Sequence, residues 1–113
     1  GTGDLIQFAS SSNAVALAIN SRGHIRTGGT TPTTSSCGTN TIIGNDNAGY
    51  VNVTAGGPTA CTITFATPRV GQYAVVITAR NSFNHGVTAT STTDFLVQAS
   101  GVIVGFYYQV LDL

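Results

Sequence analysis

The sequence predicts an all-β protein: an antiparallel, jelly-roll-like β-sandwich that follows a short β-hairpin neck. Short stretches rich in Val, Ile, Thr, Tyr and Phe recur at intervals of about 8–12 residues, a spacing typical of sandwich strands. The segments between them are built from Gly, Asn, Asp, Pro and Ser, which favour turns. No segment repeats its apolar residues with the period of a helix.

The predicted neck contains three short β-prone runs. LIQFA at 5–9 and AVALAI at 14–19 are separated by SSSN, and HIRT at 24–27 follows the turn NSRG. A piece of this length cannot bury its apolar side chains by itself. We therefore expect it to pack on the following domain or on neighbouring chains.

A cluster of Gly, Thr, Pro and Ser at 28–36 marks the predicted junction between neck and sandwich. We place the neck at residues 1–30 and the sandwich domain at residues 31–113. Six stretches of the second part are expected to form strands. They are TNTIIG, AGYVNVTA, ACTITFAT, QYAVVITAR, GVTATSTTDFLVQAS and VIVGFYYQVLDL.

Alternation within these stretches predicts which side chains share a face of the sheet. Cys61 and Ile63 fall on one face of their strand, whereas Tyr50 is out of phase with Val51. The final stretch, VIVGFYYQVLDL, is the most apolar, and we expect both of its faces to be buried. One face should meet the sandwich core, and the other could meet a partner chain.

The composition is poor in charge. Charged residues make up 7% of the chain, against about 25% in a typical soluble domain, and the formal net charge is zero. A neutral chain lacks the basic surface that nucleic-acid binding requires, so we expect no nucleic-acid partner. There is also no apolar run long enough for a membrane-spanning helix, so we expect no membrane insertion.

The same scarcity of charge has two interpretations for the state of assembly. Surfaces buried between identical copies are depleted of charge, which favours an oligomer. A secreted β-domain that works as a monomer would also tolerate this composition.

The two cysteines, Cys37 and Cys61, flank a predicted meander of short strands. A pair in this setting is more often a disulfide than part of a metal site, and the alternative is two buried thiols. A zinc site would need further ligands, and neither His24 nor His85 lies at ligand spacing. We expect no metal and no other cofactor.

The turn GNDN at 44–47 invites a calcium interpretation because Asp46 stands between two asparagines. Calcium needs about six or more oxygen ligands, and no second acidic residue is close in sequence. A turn held by side-chain to backbone hydrogen bonds is the better prediction.

The loop RNSFNHG is the strongest candidate for ligand binding. Arg80, Asn81, Asn84 and His85 can hydrogen-bond sugar hydroxyls or a carboxylate, and Phe83 could stack on a ligand. The competing interpretation is an ordinary turn in which the Phe83 ring folds back onto the core.

Catalysis is not expected. The chain has no Glu, its four Asp residues are scattered, and no Ser, His and Asp occur in the context of a nucleophile elbow. We therefore interpret the chain as a protein without enzymatic activity.

The stretch from Pro32 to Pro68 carries the series PTTSSCGT, GNDNAG, VNV and CTITFATP. In order and spacing, this series resembles the distal tips of bacteriophage tail fibres and of related trimeric fibre proteins, including the chimeric fibres of predatory bacteria. The neck runs are similar to the piece that joins a fibre shaft to such a tip. Beyond Pro68 the chain resembles H-type lectin sandwiches in general shape.

The resemblance implies a homotrimer at the tip of a fibre, outside the cell or on a virion, that binds a cell-surface glycan or another envelope component. A structural module that trimerises or caps the fibre, with no ligand of its own, is the alternative. Many relatives carry two more cysteines in later strands, and this chain has none there. Cys37 and Cys61 are therefore left as the only possible intrachain bridge.

Overall fold

The structure, a computed structural model, describes residues 4–9, 15–82, 84–88 and 91–113. Over this part of the chain it contains strands and turns, and no helix that could span a membrane. The strands are β1 Asp4–Ala9, β2 Val15–Asn20, β3 Ile25–Thr27, β4 Thr33–Ser35, β5 Thr39–Gly44, β6 Ala48–Ala55, β7 Ala60–Thr64, β8 Tyr73–Ala79, β9 His85–Thr88, β10 Asp94–Ala99 and β11 Gly105–Asp112. The all-β prediction is confirmed.

The strands form three antiparallel sheets. The first is a three-stranded sheet of order β1-β2-β3, which we call the neck sheet. The other two have four strands each, in the orders β4-β7-β10-β9 and β5-β6-β11-β8. The neck predicted for residues 1–30 thus contains the strands of one sheet, and the other two sheets follow it.

The two four-stranded sheets enclose a single apolar core in a sandwich-like arrangement. Ile63 and Phe95 enter it from one sheet, and Val51, Phe106 and Tyr108 enter it from the other. All five are buried, and the ring centroids of Phe95 and Tyr108 lie 6.0 Å apart across the core. Burial of these side chains is the main driving force for the fold.

The predicted alternation within strands agrees with this core. Val51, Cys61 and Ile63 are buried, whereas the Tyr50 side chain lies on the opposite face of its sheet. β11 buries Phe106, Tyr108 and Val110 and exposes every second residue between them. One face of the last strand therefore meets the core as expected, and its other face is exposed on the single chain.

One predicted strand is divided into two. The stretch GVTATSTTDFLVQAS forms β9 and β10, separated by a turn at Ser91 and Thr93. The Ser91 hydroxyl accepts a hydrogen bond from the Thr93 amide at 3.1 Å and contacts the Thr93 hydroxyl at 2.7 Å. Short hydroxyl side chains compete in this way with sheet pairing, which is why alternation alone did not reveal the break.

The structure contains the predicted disulfide between Cys37 and Cys61. It ties the turn between β4 and β5 to β7, so it joins segments of both four-stranded sheets. Both residues are buried within the apolar core.

Asn45, in the turn between β5 and β6, fastens the neck sheet to the sandwich. Its Nδ2 donates to the Thr27 carbonyl at 2.8 Å, and its Oδ1 accepts from the Thr27 hydroxyl at 3.1 Å. Its own carbonyl accepts from the Tyr108 hydroxyl at 2.7 Å, so one buried residue joins the neck to the core. A buried amide of this kind is favourable because its polar atoms find partners.

The neck sheet carries apolar side chains on both of its faces. Leu5, Phe8 and Ile25 are 69%, 60% and 70% exposed, and Ile6, on the face opposite to Leu5, is also exposed. The pair Arg26 and Asp4, 2.7 Å apart, holds one edge of the neck sheet to the other and lowers the pKa of the Asp4 carboxyl.

Candidate ligand-binding surface

The sheet β5-β6-β11-β8 has one face on the core and one on the surface; we call the latter the outer face. The register of the paired strands determines which side chains lie side by side on this outer face. One row across the sheet contains Thr41, Asn52, Gly105 and Arg80, and the next contains Ile43, Tyr50, Tyr107 and Thr78. A polar row therefore runs beside an aromatic and apolar row.

Two tyrosines form the centre of the outer face. Tyr50 and Tyr107 are paired directly across β6 and β11, with ring centroids 4.7 Å apart and planes inclined by 32°. Tyr107 remains 54% exposed, and Ile43, which is paired with Tyr50 on its other side, is also exposed. Exposed aromatic rings with hydrogen-bonding neighbours are typical of surfaces that recognise ligands.

The exposed Arg80 side chain extends across the surface of the sheet. It follows β8, yet its Nη1 donates to Oδ1 of Asn52 on β6, two strands away. Gly105 makes this course possible, because a Cβ at that position would lie 3.2 Å from the Arg80 Cδ and 2.7 Å from the Val51 carbonyl oxygen. The Arg80 Cζ lies 5.9 Å from the Tyr50 ring centroid, close enough for a cation–π interaction.

Asn52 connects the cation to the aromatic pair. Its Oδ1 accepts hydrogen bonds from both Arg80 and the Tyr50 hydroxyl, the latter at 3.3 Å. Because Oδ1 takes both bonds, the N–H groups of the same amide are left as donors for a ligand.

The neck sheet borders the aromatic and apolar row on the side that faces away from the polar row. A groove of about 600 Å³ lies between Ile25 and Arg26 of β3 and the aromatic row, with Ile43, Tyr50 and Tyr107 along it. A shallower depression of about 310 Å³ continues over β11 towards β8. The outer face thus offers a concave surface rather than a flat one.

The structure distributes the predicted loop residues over two sheets. The loop RNSFNHG leads from β8 in one sheet to β9 in the other, so Arg80 and His85 belong to different sheets. His85 pairs with Ala99 at the beginning of β9, and the Asn84 amide donates to the Ser100 hydroxyl at 3.2 Å. Phe83 lies outside the described residues. The binding role proposed for the loop as a whole stays a prediction.

Asn81 is engaged within the fold. Its Nδ2 donates to the Val102 carbonyl at 2.9 Å, and its Oδ1 accepts from the Val104 amide at 3.0 Å. Both contacts hold the segment that precedes β11, so this side chain shapes the loop and positions the start of the central strand.

The GNDN turn is held by hydrogen bonds, as the sequence predicted. Asn45 Oδ1 accepts from the amides of Asn47 and Ala48 at 2.8 and 3.2 Å. The Asp46 carboxylate accepts from the amides of Ala66 and Thr67 at 2.8 and 2.9 Å. Within the described part of the chain, no group of three His, Cys, Asp or Glu could hold a metal ion.

Arg69 has a structural role at the end of the sandwich that carries this turn. Its side chain is nearly buried and lies over the Phe65 ring, with Cζ 4.7 Å from the centroid. It donates to Asn47 Oδ1 and to the Asp112 carboxylate, both at 3.1 Å, and to the Asp46 carbonyl. These bonds join two turns to the C-terminal strand.

Sequence reasoning found Arg80 but missed Asn52, Tyr50 and Tyr107 as its neighbours. The signal that could have found the tyrosines is the alternation of side chains along a strand. Tyr50 directly precedes the buried Val51, and Tyr107 stands between the buried Phe106 and Tyr108. Phase shows that both tyrosines point outward, but only strand order shows that they are adjacent.

The likeness to fibre tips rests on the residue series between Pro32 and Pro68. No protein-family model matches the chain, and no curated protein or solved structure is significantly similar to it. The function is therefore argued from the chain's own surfaces.

Proposed function

We propose that this chain is the tip domain of a homotrimeric fibre and attaches that fibre to a glycan on a target cell, such as a bacterial envelope. The observation that carries the proposal is the outer face. There, the exposed Tyr107 and the half-buried Tyr50 form a ring pair beside the hydrogen-bonding groups of Asn52 and Arg80. Sugars present both polarised C–H groups, which favour aromatic ring faces, and hydroxyls, which need hydrogen-bond partners.

The neck sheet supports the trimeric part of the proposal. Apolar side chains are exposed on both of its faces, and contacts with identical neck sheets would bury them. Three copies present three binding surfaces on one particle, so that weak single contacts combine into firm attachment because later binding events are effectively intramolecular. The disulfide and the near absence of charge suit a position outside the cell.

The same neck sheet favours a second candidate function: a module that trimerises or caps the fibre and has no ligand of its own. Both functions require assembly, but only adhesion requires the outer face. Mass measurement in solution tests the shared requirement, and a monomer at micromolar concentration would contradict both.

A glycan array and binding to bacterial cells separate the two candidates. We expect the fluorescently labelled assembly to bind a defined subset of glycans, with Tyr107→Ala strongly reducing the signal. Val70→Ala, at a fully exposed turn position away from the outer face, is the matched control. A trimer that binds neither the array nor the cells would favour the structural module.

A further inference from the structure

Arg80 places a positive charge on a face that has no carboxylate among its described residues. Arg26 and Arg69 form salt bridges with Asp4 and Asp112. Arg80 instead bonds the neutral amide of Asn52. The charge is therefore available to a ligand.

The aspartates of the chain are committed elsewhere. Asp46 accepts from two backbone amides, and Asp94, on β10 in the opposite sheet, accepts from the Ser91 hydroxyl at 3.4 Å. Together with the two salt-bridged residues, these account for all four acidic residues of the sequence. A second copy of this chain would have to give up one of these contacts to bring a carboxylate to Arg80, so a self-contact is a poor match for the charged part of the outer face.

The position of the guanidinium is fixed by its neighbours. The Asn52 bond and the Tyr50 ring hold it beside the aromatic row, and Gly105 lets its stem lie flat across β11. One Nη donates to Asn52, and the remaining N–H groups can form the paired hydrogen bonds that a carboxylate accepts. An arginine held in advance loses less conformational entropy when a ligand binds.

We propose that the outer face binds a saccharide that carries a carboxylate, such as a hexuronic acid. The sugar ring lies against Tyr107, its carboxylate pairs with Arg80, and the Asn52 amide donates to an adjacent oxygen. This inference rests on the proposed glycan-binding function and adds both the location of the site and the acidic class of sugar. A neutral sugar would use the tyrosines but would leave the Arg80 charge without a counter-charge.

Three small probes separate the parts of this proposal. D-Glucuronate has a carboxylate where D-glucose has a hydroxymethyl group. Acetate supplies a carboxylate without a sugar ring. Titrations followed by NMR should show shifts of Tyr50, Tyr107 and Arg80 with glucuronate. Glucuronate should bind about tenfold or more tightly than either glucose or acetate, as expected for a charged hydrogen-bonded contact.

Substitutions test whether Arg80 and Tyr107 are responsible for the binding of glucuronate and for its preference over glucose. Arg80→Gln should weaken glucuronate binding about tenfold and remove the preference over glucose. Arg22→Gln removes the same charge from an exposed turn and should bind like the wild type. Tyr107→Phe keeps the ring and should retain binding, whereas Tyr107→Leu should lose it; dispersed amide spectra verify that each variant is folded.

Four results would overturn the acidic site. One is the absence of shifts with both glucuronate and N-acetylneuraminate, a second acidic sugar. Another is equal binding of acetate and glucuronate. A third is a drop in particle mass on Tyr107→Leu, which would make the outer face a subunit contact. Glycan-array binding that survives Arg80→Gln would sink this inference and leave the adhesion function standing, whereas a trimer that binds no glycan would remove the proposed function itself.

Discussion

At the scale of single residues, the core contains a phenol, that of Tyr108, whose protonation the fold controls. The Tyr108 hydroxyl donates to the Asn45 carbonyl at 2.7 Å from a buried position, and burial raises the pKa of this phenol. The ring fills the core, while the hydroxyl satisfies a carbonyl that would otherwise lack a partner. Tyr108 thus contributes to stability both by packing and by a hydrogen bond.

Replacement of Tyr108 by Phe should lower the free energy of unfolding at neutral pH by about 1–2 kcal/mol, because the Asn45 carbonyl loses its partner. Since the folded pKa is raised, this contribution is fully present below the unfolded pKa of about 10 and declines as pH rises above it. The difference between wild type and Y108F should therefore shrink in alkaline buffer. Urea unfolding between neutral pH and strongly alkaline pH measures it.

Tyr107→Phe is the matched control for this experiment. Tyr107 directly precedes Tyr108 on β11, and its exposed side chain is on the outer face. Its replacement should change the free energy of unfolding by less than about 0.5 kcal/mol. An equal effect of the two variants would show that the buried hydrogen bond contributes nothing specific.

At the scale of elements, two devices hold the strands in their arrangement: the Cys37–Cys61 disulfide and the Asn45 junction. The disulfide ties the turn between β4 and β5 to β7 within the core, and Asn45 ties the neck sheet to the turn between β5 and β6. The first restricts the unfolded chain, whereas the second determines where the neck lies against the outer face.

Removal of the disulfide by Cys37→Ala with Cys61→Ala should lower the free energy of unfolding by about 3 kcal/mol, as expected for a closed loop of this length. Thermal unfolding of the variant and the wild type measures the loss. Adding reductant should weaken the wild type and leave the variant unchanged. Two thiols that react in unfolded, unreduced wild type would show that the bridge is absent.

Loss of the Asn45 side chain should loosen the neck more than the sandwich. Asn45→Ala removes both hydrogen bonds to Thr27, together with those that its Oδ1 accepts from the Asn47 and Ala48 amides within its own turn, and should cost about 1–3 kcal/mol at this junction. Amide hydrogen exchange should accelerate in β2 and β3 well before it does in β7 and β10. Thr27→Val removes only the hydroxyl contact and should give a smaller effect in the same strands; uniform acceleration across the chain would contradict a local role.

At the scale of the whole molecule, two surfaces of different character stand on one chain. The neck sheet exposes apolar side chains on both faces, among them Leu5, Ile6, Phe8 and Ile25, which fits contacts between copies. The outer face combines rings, amides and a guanidinium, which fits a polar ligand. The division predicts that assembly and ligand binding respond to different substitutions.

Leu5→Ser combined with Phe8→Ser should therefore reduce the mass of the particle in solution while the sandwich keeps its melting behaviour. The reason is that both side chains are largely exposed on the single chain and contribute little to its own core. Light scattering gives the mass, and Val70→Ser, also fully exposed, serves as the control for surface polarity. A variant that retains the wild-type mass would remove the neck sheet from the interface.

Much of the fold can be predicted from local sequence. β5 and β6 agree with their predicted stretches, and the inward phase of Cys61 and Ile63 is correct, because turns and alternation are properties of neighbouring residues. The order of strands in the sheets is not local. Nothing near β11 in the sequence indicates that β6 and β8 flank it.

The candidate site, like the fold, could be predicted from sequence only in part. Arg80 could be chosen from sequence as a rare cation in a loop, but its association with Asn84 and His85 came from proximity along the chain. Strand pairing instead brings Arg80 to Asn52, and Tyr50 to Tyr107. Sequence by itself determined the β class, the disulfide pair and the phase of Tyr50 opposite to Val51, since these follow from short-range pattern and composition. Only the tertiary structure decided which outward side chains meet, because long-range register places residues far apart in sequence on adjoining strands.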